Sequence, residues 1–339
     1  TVVLALILLL LGAAGSSFAH TPWELYATCG VLVGVGSGAG MVGLATAVAN
    51  RWFVAHRGLV VGLLTASNAS GQLIFLPLLA SLASHLGWQS VPWAVAAVLL
   101  VLIPLVLLML AESPGSVGLG PYGAAAEPPL APSAVNPFRV ALSGLARGAR
   151  SVDFWLLFAT FWVCGFSTNG LVATHLIPFC MDHGIPEVQA ASLLAAMGVF
   201  DLIGTTLSGW LTDRFNARVL LFWYYGLRGL SLVLLPFTNF DMLSLSVFAV
   251  FYGLDWVATV PPTVGLTTEV FGKRDSPVIV SWIVCGHQMG GAIAALGGGL
   301  ARNATGSYLA AFIASGAACL LASLMVLRIA RRPAVVLAE

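Results

Sequence analysis

Long apolar stretches, separated by short polar segments, make up most of this 339-residue chain. A helix needs about 20 mainly apolar residues to cross the hydrocarbon core of a bilayer. The stretches that meet this requirement are 2–19, 25–50, 58–83, 89–110, 153–178, 188–212, 218–237, 242–268, 277–301 and 307–329. The pattern therefore predicts an all-α membrane protein with about ten transmembrane helices.

One long polar interruption separates the first four predicted helices from the last six. It covers residues 111–151 and is rich in Pro, Gly, Ala and Ser, which is typical of a flexible connection. The sequence therefore predicts two helical bundles joined by a loop.

Composition supports a lipid environment. The chain is 59% hydrophobic and only 8% charged, with a mean hydropathy of +0.97, whereas soluble domains carry roughly 25% charged residues. We therefore expect the lipid bilayer to cover most of its surface. The formal net charge of +1 argues against a nucleic-acid partner, because no basic patch is present to neutralise phosphates.

Positive charges predict the orientation. If the 111–151 loop is cytoplasmic, most of the 14 Lys and Arg residues fall on the cytoplasmic side, as the positive-inside rule requires. These are Arg51, Arg57, Arg139, Arg147, Arg150, Arg214, Arg218, Lys273, Arg274, Arg328, Arg331 and Arg332. Arg302 falls outside and Arg228 within a span. We therefore predict a multi-pass protein of the inner (cytoplasmic) membrane. A cleavable signal peptide remains an alternative for the first stretch, because 17–19 resembles a cleavage site.

The sequence shows no pattern that indicates a metal, a cofactor or an enzyme. The five cysteines have no C-x-x-C spacing and are interpreted as small apolar residues. The G-x-G-x-x-G match at 38–43 lies inside a predicted span with no strand before it, so it indicates close helix contact rather than a dinucleotide site. There is no nucleotide-binding loop and no nucleophile–base arrangement.

A short motif between the sixth and seventh predicted helices carries a family resemblance. Residues 209–218 follow the pattern G-x-x-x-D-R-x-G-x-R through Gly209, Asp213, Arg214 and Arg218, with Asn216 in place of the second glycine. This resembles the cytoplasmic loop of major facilitator superfamily transporters. The resemblance implies that superfamily's fold of two helical-bundle halves and a gating role for the loop.

The superfamily has twelve helices, so the resemblance implies that the spans here correspond to helices three to twelve. The expected domains are the remainder of an N-terminal bundle at 1–110, a cytoplasmic inter-bundle loop at 111–151, a C-terminal six-helix bundle at 152–330 and a cytoplasmic tail at 331–339. A chain lacking its first two helices and a natural ten-helix protein are both open.

Softer matches point to one branch of the superfamily. The stretches 50–59, 174–178, 252–262 and 286–288 resemble monocarboxylate and oxalate/formate transporters of the bacterial type. One position departs from the branch. Animal monocarboxylate carriers place an Arg four residues after an Asp on helix eight, whereas here Asp201 is followed by Thr205. The departure argues against lactate-like proton symport.

Several polar residues fall near the middle of predicted helices. Charged side chains are costly inside a bilayer, roughly 2.5–3.5 kcal/mol each, so those that persist usually serve a function. Transporters place substrate and ion sites at this depth. The residues are Asn68, Gln72, Asp201, Arg228, Asp255, His287 and Gln288. They predict a central polar cavity that carries substrate or protons.

Each candidate has a structural alternative. Arg228 is predicted to form a structural ion pair with one of the two mid-helix carboxylates, which leaves the other to carry a proton. Packing roles remain open for His287, for His175 near the outer end of its helix, and for Tyr252 and Trp256. The prolines at 261–262 predict either a hinge or a static kink.

The sequence therefore predicts a secondary active transporter for a small organic solute. We expect an organic anion such as a carboxylate, moved by alternating access and driven by a proton or exchange gradient, and we expect a monomer. An exporter of amphiphilic compounds is an alternative, although Phe75 and Leu76 replace the Gly-Pro of that group's helix-five motif. A transport-inactive membrane receptor is a second alternative.

Overall fold

The computed structural model describes residues 2–40, 52–53, 71, 74–111, 114–120, 122–123 and 137–329. The chain divides into two compact units, Thr1–Pro132 and Ser133–Glu339. The description below takes each unit by itself.

Four longer helical segments and a short 3-10 helix, Pro114–Val117, are described in the first unit. The longer segments are α1 (Val2–Ser16), α2 (Pro22–Leu25, continued by the π-helical Tyr26–Val33 and by Gly34–Gly40), α3 (Ile74–Leu86) and α4 (Ser90–Met109). A capping box starts α2, because Thr21 accepts from the backbone of Glu24 while the Glu24 side chain accepts from Thr21. Helix α1 packs against both α2 and α4.

The second unit begins with a short amphipathic helix, α5 (Pro137–Gly148), and continues with six long helices. These are α6 (Val152–Asp182), α7 (Glu187–Thr212), α8 (Ala217–Phe237), α9 (Met242–Gly272), α10 (Arg274–Thr305) and α11 (Leu309–Val326). Gly272 separates α9 from α10 with a φ of 75°, which a residue with a side chain rarely adopts.

The all-α fold class is confirmed. Within the described ranges, seven helices are long and apolar enough to cross a membrane: α4 and α6 to α11. Every predicted span from 153 onward corresponds to one of them. The predicted spans 25–50 and 58–83 lie partly outside the described residues.

Helix α5 was missed, because its stretch of the chain was predicted to be a loop. The side chain of Trp282 donates to the Ala141 carbonyl at 2.9 Å, and Gly144 lies against Val278. Arg147 also forms an ion pair with Asp275. The Pro, Gly and Ser content of 111–151 concealed a helix that docks onto the start of α10.

Close backbone contacts hold the helices of the second unit in pairs. A Cβ at Gly165 of α6 would overlap the His287 carbonyl of α10, and one at Gly204 of α7 would overlap the Leu254 carbonyl of α9. Helices α8 and α11 form the third pair. Small residues permit such approaches, which supply the packing that membrane helices need. The α7–α9 contact lies beside the site described next.

Candidate functional site

Helix α9 is interrupted near its middle. Regular α-helix ends at Asp255 and resumes at Val260. Across residues 256–259, backbone bonds span three residues instead of four: the Trp256 N–H donates to Gly253 and the Val260 N–H donates to Val257. We call residues 256–259 the interrupted turn.

The cause of the interruption can be traced to the sequence. In an α-helix, the carbonyls of residues 257 and 258 would accept from the N–H groups of residues 261 and 262. Both of these are proline and have no N–H. The prolines themselves occupy the first turn of the second half-helix, where a missing N–H costs nothing. They therefore lie at the beginning of the second half-helix.

Helix α7 supplies two partners to the interrupted turn. The Asp201 carboxylate accepts the Val257 N–H at 2.9 Å and the Thr205 hydroxyl at 2.8 Å, both through Oδ1. About two helical turns further along α7, the buried Ser208 hydroxyl donates to the Ala258 carbonyl at 2.5 Å. Two backbone groups released by the interruption are thereby satisfied from one neighbouring helix.

Helix α8 supplies the third partner, Arg228, whose side chain is fully buried. Its Nε donates to Oδ2 of Asp255 at 2.6 Å, and one terminal nitrogen donates to the carbonyls of Asp255 and Trp256. The cation thus lies at the carboxyl end of the first half-helix, where the helix dipole is negative. Of the two candidate carboxylates, the structure pairs Asp255 with Arg228.

Three residues of this cluster, Cys164, Thr259 and Ser208, were not singled out from the sequence. The Cys164 sulfur of α6 accepts from Arg228 at 3.1 Å and lies 3.3 Å from the Thr259 hydroxyl. Both residues are buried. A Cys or Thr inside an apolar run resembles ordinary packing, so no signal in the sequence separates them. Ser208 was missed for the same reason, although the paired prolines pointed to an unsatisfied carbonyl.

The two aromatic candidates lie next to the cluster. Tyr252 is buried and its hydroxyl donates to the Ser167 carbonyl at 3.0 Å. The ring of the half-buried Trp256 packs edge-on against it, with centroids 5.6 Å apart. Tyr252 therefore links α9 to the π-helical stretch Phe166–Val172 of α6.

His287 and Gln288 lie on α10, and the His287 side chain contacts Cys164 of α6. Nδ1 of the half-buried His287 is 3.2 Å from Oε1 of the exposed Gln288, and its ring lies 4.9 Å from that of Phe161. Both are polar groups near mid-helix.

His175 lies apart from this cluster, towards the predicted outer end of α6. It is buried, Nε2 is 2.8 Å from the Ala295 carbonyl, and its ring packs against Tyr308. Beyond it, Arg302 binds both carboxylate oxygens of Asp182, at 2.6 and 2.9 Å. His175 thus belongs to the contact between α6 and α10.

The motif at 209–218 forms the connection between α7 and α8. Asp213 is the residue that ends α7, and Arg214 lies over the Trp210 ring at 4.0 Å. Asn216 caps α8, and Arg218 forms an ion pair with Glu269 at 2.8 Å. The motif begins within α7 at Gly209, directly after Ser208, and the connection itself begins after Thr212.

The structure brings Asp201, Arg228, Asp255 and Trp256 together around one interruption. His287 reaches the edge of this cluster through Cys164, and Gln288 bonds to His287. His175 lies apart, on the contact between α6 and α10. Asn68 and Gln72 lie outside the described residues.

Long apolar helices with charged groups buried between them are typical of membrane transport proteins. The family model described as Major Facilitator Superfamily matches residues 1–294 and 176–338. The chain belongs to the major facilitator superfamily, and it is a multi-pass membrane transport protein.

Relatives and solved structures agree with this assignment. An uncharacterized MFS-type transporter, YcxA of Bacillus subtilis, is 30% identical, over 83% of this chain and 66% of YcxA. Monocarboxylate transporter 12-B of Danio rerio is 27% identical, over 97% of this chain and 72% of that protein. The fucose:proton symporter FucP of E. coli has a TM-score of 0.58 at 17% identity, over 98% of this chain and 83% of FucP. The last similarity concerns the fold alone.

Proposed function

We propose that this protein is a secondary active transporter for a small organic anion such as a carboxylate. It works by alternating access in the cytoplasmic membrane and is driven by a proton gradient or by exchange. The observation that carries this proposal is the set of charges buried at the interrupted turn. Buried ionisable groups in a membrane helix are costly and typically mark an ion or substrate pathway.

The anionic substrate is inferred from relatives and from the polar groups present. Monocarboxylate transporters are among the relatives that align over most of the chain. His287 and Gln288 are the candidates for substrate contact, because they lie near mid-helix and are accessible. Tyr252 uses its hydroxyl within the bundle, so we assign it and His175 to the walls of the pathway. Trp256 joins these walls to the charged cluster, because its ring packs on Tyr252 and its carbonyl accepts from Arg228.

Asp201 is the proposed proton carrier. Asp255 already has a cationic partner in Arg228, whereas the two donors to Asp201 within the described residues are neutral, and both donate to the same oxygen. A carboxyl group in such surroundings can exist in either protonation state without breaking an ion pair. Asn68 and Gln72, which the sequence places at the same depth, complete the proposed pathway.

The loop at 209–218 is the proposed cytoplasmic gate. Arg218 of α8 forms an ion pair with Glu269 of α9, so a movement at the start of α8 would be transmitted to the cytoplasmic end of α9. We further propose two bundle halves, at 1–110 and 152–330, that rock about the site, and a monomeric functional unit.

Uptake measurements on the full-length protein test this function. Cells or proteoliposomes containing it are given labelled monocarboxylates and dicarboxylates, with and without a proton uncoupler. We expect uptake of at least one anion, abolished by the uncoupler or accelerated by a counter-anion inside. Failure to move any of the anions under both gradients would refute the proposal, and uptake of amphiphilic cations instead would support the exporter.

A further inference from the structure

Three backbone groups of the interrupted turn form hydrogen bonds with side chains of other helices. The side-chain partners differ in charge. Val257 bonds to Asp201 and Trp256 to Arg228, both charged residues. Ala258 alone among them bonds to a neutral side chain, Ser208. Its carbonyl is also the one whose regular donor is missing because residue 262 is proline.

We propose that Ser208 is a positioning residue of the transport cycle. It substitutes for the N–H that Pro262 lacks and thereby keeps α9 divided into two half-helices. This inference rests on the proposed transport function but assigns Ser208 no contact with substrate.

The surroundings of Ser208 support this assignment. Ser208 and Ala258 are both buried, so water does not replace the bond, and an unsatisfied carbonyl there is unfavourable. The backbones of α7 and α9 touch at Gly204 and Leu254. The helices are therefore close enough for the short serine side chain to reach the Ala258 carbonyl. Ser208 also directly precedes Gly209, the first residue of the proposed gate. A single contact therefore links the interrupted turn to the cytoplasmic loop.

Two substitutions test whether the bond to Ser208 positions the interrupted turn or only satisfies a buried carbonyl. Ser208→Ala removes the donor, and the interrupted turn should loosen. Adding Pro262→Ala supplies a backbone N–H to the same carbonyl, so the double variant should satisfy the Ala258 carbonyl within α9, without the link to α7. The matched control is Ser323→Ala, because the buried Ser323 hydroxyl donates only within its own helix, to Leu320.

Cys164 provides a readout that needs no substrate, because its sulfur lies against Thr259 in the interrupted turn. The measurements are alkylation of Cys164, with the other four cysteines replaced by alanine, and amide hydrogen exchange at 256–260. Uptake of the labelled anion is measured in parallel. All variants are made in the full-length protein.

We expect Ser208→Ala to be alkylated and exchanged severalfold faster than the parent and to transport severalfold more slowly. The double variant should recover slow alkylation and exchange but not transport. Two results overturn the inference: a Ser208→Ala variant that matches Ser323→Ala in every readout, or a double variant with full transport. If the parent itself moves no anion, the proposed function fails, while alkylation and exchange still decide whether Ser208 holds the turn.

Discussion

Two ion pairs in the second unit have the same length and opposite environments. Arg228 and Asp255 approach to 2.6 Å with side chains 0% and 10% exposed, whereas Arg302 and Asp182 approach to 2.6 Å with side chains 41% and 29% exposed. The buried pair also satisfies backbone carbonyls released by the interrupted turn. Distance alone therefore says little about what an ion pair does. Burial decides the energy that is lost when one partner is removed.

The largest effect is expected from Arg228→Met. The substitution leaves the Asp255 carboxylate and two carbonyls buried without their donor. We expect the free energy of unfolding to fall by about 3–5 kcal/mol, the range for breaking a buried pair from one side. Denaturant titration of the purified protein in detergent measures this. A loss below that of Arg302→Ala would contradict the comparison.

A smaller loss is expected when both buried charges are removed together. In the double variant Arg228→Met, Asp255→Leu, no charge remains unpaired, and replacing a buried pair by apolar residues is often nearly neutral. The double variant should be more stable than Arg228→Met alone, in the same titration. Equal or additive losses would show that the two residues do not act as a pair.

The exposed pair should matter least for stability. Arg302→Ala removes a partly solvated contact, so we expect a loss of about 0.2–1 kcal/mol. Asp182→Ala should have a similar effect, because neither partner is left in a dry environment. A loss comparable to that of Arg228→Met would mean that the predicted outer end of the bundle is closed to water.

Salt should distinguish the two pairs as well. Added monovalent salt screens exposed charges and has little access to buried ones. The double-mutant coupling energy of Arg302 and Asp182 should therefore shrink as salt is raised, while that of Arg228 and Asp255 should stay constant. Thermal unfolding of both cycles at low and high salt checks this. Parallel salt dependence would place the two pairs in the same environment.

Helix positions could be predicted from hydropathy because every helix that crosses the lipid needs about 20 mainly apolar residues. The six helices from Val152 onward were predicted to within a few residues at most ends. Helix α5 was missed because docking through Gly144 and Trp282, not hydropathy, makes it stable. The site was only partly predictable. Mid-helix depth singled out Asp201, Arg228 and Asp255, but it could not tell which carboxylate the arginine binds.

That choice depends on where regular helix ends. Asp255 is the last residue of the first half-helix of α9, and Arg228 donates to the carbonyls that are left without helical donors there. The sequence showed two adjacent prolines, which were interpreted as a hinge or a kink. Only the structure shows that they begin a new half-helix and leave Ala258 to Ser208. Depth also grouped His287 with the carboxylates, and in the structure its side chain contacts Cys164, which accepts from Arg228.

The most direct test of this account is anion uptake by Asp201→Asn and Asp255→Asn across external pH. We expect Asp201→Asn to lose the response of uptake to an inward proton gradient while it retains anion exchange, because the amide oxygen still accepts from Val257 but carries no proton. Asp255→Asn should weaken transport mainly through the loss of its ion pair. Unchanged pH dependence of uptake in both variants would contradict the assignment of proton coupling to the interrupted turn.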